Sequence, residues 1–166
     1  HALVHVMHEA GSGDEAAAVV DDWLPCYGRQ GPLHGHIAWH GALVALANGD
    51  VPRALAIYSD SVAPTRSVGA PINIVSDTAS FLWRLRVDGH PVPAELLDQA
   101  SGYASGHFPQ PGFAFADVHK ALLDALAGDQ VALQRRADAL EALVNEHRLP
   151  AGSVVPTVCR ALLAFA

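Results

Sequence analysis

The sequence predicts an all-α fold, an α-solenoid of helical hairpins with a repeat of about 39 residues. Abundant Ala and Leu, arranged in apolar stretches of 10 to 17 residues between Gly-Asp, Asp-Gly and Pro punctuation, favour helices throughout, and almost no alternating β pattern interrupts them. Gly11, Gly49, Gly89 and Gly128 each close one apolar stretch and precede another, at spacings of 38, 40 and 39 residues. The run from Ala42-Leu43 to Asn48-Gly49-Asp50 aligns with Ala121-Leu122 to Ala127-Gly128-Asp129 at an offset of 79, which is two repeats.

The elements follow in order from that punctuation. A helix over 1–10 ends at Gly11 and 14–24 returns. A helix over 34–48 ends at Gly49, and 51–61 begins behind Asp50. The pair 71–87 and 93–105 turns at Gly89, and 113–127 with 129–146 turns at Gly128. A last helix over 153–165 opens a fifth hairpin. Glycine ends each first helix in a left-handed conformation, and Asp50 or Asp129 caps the next one by accepting from its free N–H groups. The longer connections are 25–33, 62–70 and 106–112. One hairpin cannot bury its own apolar face, so stacking of successive hairpins is expected. The unit is longer than the ~34 residues of tetratricopeptide repeats, so TPR-like hairpins with longer helices or loops are expected.

The 166 residues, 51% hydrophobic and 16% charged, suit one packed helical-repeat domain over 1–166. Because His1 falls inside an apolar helical pattern, the domain is expected to be a fragment of a longer repeat protein, in contact with further N-terminal repeats or another chain. The net charge of -7, with Arg135-Arg136 as the densest basic run, argues against nucleic acid. No uncharged run reaches the ~20 apolar residues of a membrane span. Cys26 and Cys159 are isolated and fit free thiols in a reducing compartment, so the expectation is a soluble, intracellular, cytoplasmic protein.

Several segments together resemble the tetratricopeptide-repeat protein 38 family, in its C-terminal repeat region. They are His1-Ala2-Leu3-Val4-His5-Val6-Met7-His8-Glu9, His36-Ile37-Ala38-Trp39-His40-Gly41-Ala42-Leu43, Asn48-Gly49-Asp50 with Ala54-Leu55-Ala56-Ile57-Tyr58, and Ser80-Phe81-Leu82-Trp83-Arg84-Leu85. Phe115-Ala116-Asp117-Val118-His119 is a weaker echo. The resemblance implies a helical-repeat fold and no particular reaction, cofactor or substrate. The chain departs from the family pattern in having one Trp before His40 where two adjacent aromatics are usual, and in being shorter.

Ten histidines are the main compositional anomaly, and six of them fall on two helical stretches. His1, His5 and His8 stand at i, i+4, i+7, and His36 and His40 at i, i+4, so each set forms a stripe on its helix. His36 and His40 lie within the apolar arc of Trp39, Leu43, Ile37 and Val44, and His119 occupies the repeat position equivalent to His40. If first helices line a concave face, His5, His40, Asp77 and His119 converge there, with Glu9, Asp77 and Asp117 as carboxylate partners.

Three readings stay open. The histidines are hydrogen-bonded core residues, or a metal site built of i, i+4 imidazoles, or acid-base and ligand-binding groups. No His-Glu-x-x-His motif supports the metal, and no nucleophile stands out: Ser80 and Ser105 lack a Gly-x-Ser-x-Gly context. Asp77, Ser80 and Arg84 form a polar stripe, for which a solvated helix face is the plain account. Trp23, Trp39 and Trp83 are expected to be packing anchors.

The function expected is a binding module whose concave groove, lined by His5, His36, His40, Trp39, Asp77, Arg84, Asp117 and His119, takes a small polar molecule or a peptide. The alternative is an enzyme in which His40, His119 and Asp77 are the catalytic candidates, acting by general acid-base chemistry or through a His-bound metal. The sequence names no cofactor and leaves open whether a metal is held.

Overall fold

A computed structural model describes residues 2–165, apart from the side chain of His8. Of the first histidine stripe, therefore, His1 and the imidazole of His8 lie outside the described residues, and His5 is described in full. The elements are α1 (Ala2–Glu9), α2 (Gly13–Trp23), α3 (His34–Ala47), α4 (Val51–Ile57), α5 (Pro71–Val87), α6 (Ala94–His107), α7 (Ala114–Leu126), α8 (Gln130–Asn145) and α9 (Val154–Phe165). The described residues form no strand.

The turn chemistry is as expected. Gly11, Gly49, Gly89 and Gly128 have φ of +74°, +77°, +86° and +68°, the left-handed region that a Cβ disfavours. Asp50 accepts from Arg53 N at 3.2 Å and Asp129 from Ala132 N at 2.8 Å, so both cap the helices that follow. The helix expected over 51–61 differs. After Ile57 the chain widens into a π turn, Tyr58–Val62, closed by Ala63 N donating to Tyr58 O at 2.8 Å. The wider turn buries Tyr58, Ser61 and Val62 and stacks Tyr58 on Phe81 at 4.8 Å. Core packing thus outweighs α-helical regularity here.

Two compact units divide the chain, 1–81 and 82–166. In the first, α3 is central: ten of its 14 residues are buried, and it packs on α2, α4 and the π turn. Val4, Ala16, Val20, Ile37 and Val44 form one core cluster, into which Gly41 admits Val20 closely. In the second unit Leu133, Ala137, Leu140, Val155, Cys159 and Leu162 join α8 to α9. Each fully buried Leu contributes about 1.5–3 kcal/mol, which is what holds such short helices in place. Trp83 packs there against Phe165 at 5.0 Å. Trp23 does not anchor a core: it is 41% exposed and stacks on Tyr27 at 4.6 Å.

Candidate functional site

Three histidines of the first unit converge. Helical spacing puts His36 and His40 one turn apart on α3, and α1 brings His5 over both. Ring centroids lie 4.4 Å apart for His5 and His40, 5.0 Å for His36 and His40, and 6.1 Å for His5 and His36. One nitrogen from each lies within 4.8 Å of the others. Burial is graded across the cluster: His40 is 3% exposed, His36 half-buried and His5 exposed, so the site opens on the His5 side.

Asp77 of α5 fixes His36. Its two carboxylate oxygens both lie 3.0 Å from His36 Nδ1, and the Asp77 side chain is almost fully buried. A carboxylate in that position accepts, so Nδ1 carries a proton, and in the neutral imidazole Nε2 is left with the lone pair that a metal needs. Asp77 is held in turn. Ser76 Oγ donates to Asn73 O at 3.0 Å and approaches Asp77 Oδ1 at 3.4 Å, and Ser80 Oγ donates to Asp77 O at 3.2 Å. Trp39 stacks on His36 with centroids 5.3 Å apart and meets His40 edge-on at 4.8 Å, which restricts both rings.

This donor set fits a transition-metal ion. Zinc binds imidazole nitrogen at about 2.0–2.1 Å, which in tetrahedral geometry separates ligand atoms by about 3.4 Å. The separations here, all within 4.8 Å, exceed that by up to about 1.4 Å, which the three imidazoles would close by turning about their side-chain bonds when an ion is bound. A carboxylate behind one ligating imidazole is the arrangement that sets its tautomer and raises its basicity.

The remaining expected site residues separate by unit. His119, Asp117 and Arg84 belong to the second. His119 is half-buried, with Nδ1 donating to Phe115 O at 2.7 Å and its ring 4.5 Å from Phe115. Asp117 corrects the expectation of a ligand-binding carboxylate beside His119. Positions i and i+2 point to different faces of a helix. The Asp117 carboxylate instead meets Arg136 Nη1 at 2.7 Å and accepts from Gly112 N at 2.9 Å, in the interior. Arg136 also reaches Asp124 at 3.5 Å, and burial raises the pKa of the Asp124 carboxyl despite its cationic neighbours. That network is structural, and only its Arg in α8, far along the chain, reveals it. The stripe of Asp77, Ser80 and Arg84 is not one solvated face: Asp77 and Ser80 are buried and Arg84 is exposed.

No protein-family model matches the chain, and no solved structure matches it.

Proposed function

We propose that the first unit is a ligand-binding helical module whose recognition element is a three-histidine metal centre. His5, His36 and His40 hold a zinc-class ion, Asp77 orients His36 from behind, and Trp39 walls the site. The observation that carries this reading is the convergence of three imidazole nitrogens within 4.8 Å, from two helices, with a buried carboxylate behind one of them. Three neutral imidazoles suit zinc, copper or nickel better than calcium or magnesium, which prefer oxygen. Three protein ligands among the described residues leave a fourth position to be filled, as in zinc sites that exchange water for substrate. Here the position faces the exposed His5 side, where a small polar molecule completes the coordination.

The acid-base alternative uses the same residues without metal, His36 exchanging a proton while Asp77 holds its ring in place. Metal dependence separates the two. Protein made without a histidine tag and stripped with chelator is titrated with zinc by calorimetry. The metal reading expects one equivalent bound, and His40→Gln should abolish it while the helical signal is retained. Absence of saturable binding in the unaltered protein refutes the metal centre. The membership in the tetratricopeptide-repeat protein 38 family suggested by the sequence, and a solenoid of its repeats, stand with this proposal as readings of the same residues.

A further inference from the structure

We propose a second, independent site in the first unit, at the N-terminal end of α3, that takes the anionic group, carboxylate or phosphate, of a small polar molecule. His34 opens α3 and is only 7% exposed, and its imidazole makes no hydrogen bond among the described residues. A buried imidazole ordinarily satisfies its N–H with an acceptor. His34 instead lines two cavities, of about 410 and 210 Å³, which share Arg29, His34, Asp60 and Ser61 in their walls. An acceptor that enters from solvent is what this donor faces.

Charge decides which acceptor. Arg66 and Arg29 both line the smaller cavity, against the single carboxylate of Asp60. Arg29 is committed to that carboxylate through Nη2 at 2.7 Å, and Ser61 Oγ donates to it at 2.9 Å. Arg66 forms no ion pair at salt-bridge distance among the described residues, so its guanidinium is the uncompensated charge. In a chain of net charge -7 this cavity is locally cationic. The 14-residue α3 adds the positive end of its dipole, and its N-cap, Leu33, supplies no side-chain acceptor. Gly35 lets the first turn of α3 approach this wall, because a Cβ there would collide with Ser67 Oγ and lie 3.1 Å from Ser61 O. The π turn carries Asp60 and Ser61 to the same wall. A planar guanidinium, an imidazole N–H and a helix N-terminus together form a donor set for an oxyanion, and a cation has only Asp60 to meet.

The test uses the whole chain, treated with chelator so that no anion binds through a metal. Isotope-labelled protein is titrated with inorganic phosphate and, separately, with acetate, at constant ionic strength. Saturable shifts are expected at the amides of His34, Gly35 and Arg66, with half-saturation below ~10 mM. Arg66→Gln, at an exposed position, should keep the spectrum of the folded chain and weaken binding about tenfold. Saturation by phosphate alone assigns a phosphoryl group, by acetate alone a carboxylate, and by both the shared oxyanion chemistry. Linear drift equal to that in chloride, or saturation that Arg66→Gln leaves unchanged, overturns the site.

Discussion

Asp77→Asn is the substitution that separates a metal-orienting carboxylate from a merely structural one. Asn keeps the shape and one acceptor oxygen 3.0 Å from His36 Nδ1, so the tautomer of His36 is preserved while the negative charge is lost. In the metal-free protein the change replaces a charge-assisted hydrogen bond by a neutral one, a difference of about 1 kcal/mol in unfolding free energy. Metal affinity should suffer more. Loss of the carboxylate lowers the basicity of the ligating imidazole, and removal of such partners costs 10–100-fold in affinity, or about 1.4–2.7 kcal/mol. Almost complete burial of the Asp77 side chain keeps solvent from screening the effect. The assay is competition calorimetry with a zinc chelator beside urea unfolding of the metal-free form. Zinc affinity within twofold of the unaltered protein, with the stability loss intact, would refute the reasoning and leave Asp77 a helix-packing residue.

Three further outcomes follow from the fold. Asp117→Asn strips the charge opposite Arg136, which is 8% exposed; breaking such a buried pair costs about 3–5 kcal/mol, and Asp124 at 3.5 Å should hold the loss to the low end, so a change under 1 kcal/mol in urea unfolding contradicts the network. Gly49→Val forces a β-branched residue to φ +77° with open space around its Cβ, so the cost is purely conformational, about 1–2 kcal/mol by thermal melt, and a neutral result removes the strained turn. Cys159 is fully buried and its thiol is pushed up from 9.0 to about 11, so an Ellman titration near pH 8 should find one fast thiol, the exposed Cys26, and the second only in denaturant. The stability that the protonated Cys159 contributes is complete below pH 9.0 and is lost as pH rises toward about 11. Two fast thiols would show that α9 opens readily.

The helices were legible because their boundaries are local chemistry: glycine at a left-handed turn and Asp at a cap need only neighbours in sequence. The π turn at Tyr58–Val62 was not, since the 3.6 periodicity of 51–61 continues through it and only the stacking of Tyr58 on Phe81 rewards the wider turn. Within the candidate site, i, i+4 spacing exposed the pair His36 and His40, and adjacency of hairpins suggested His5. That Asp77 serves His36 depends on the placement of α5, which no spacing encodes. Asp117 misled for the same reason: its partner Arg136 lies 19 residues away on the next helix. His34 carries no signal in the sequence, because a histidine at the start of a helix is ordinary until its burial and the charge of the cavity around it are known.

X-ray absorption at the zinc edge of the stoichiometric complex tests the central claim most directly. A three-histidine centre shows three imidazole nitrogens at about 2.0–2.1 Å with one further light-atom ligand, and loses one imidazole contribution in His5→Gln. A sulfur shell at about 2.3 Å, or an all-oxygen shell unchanged by His5→Gln, would contradict it.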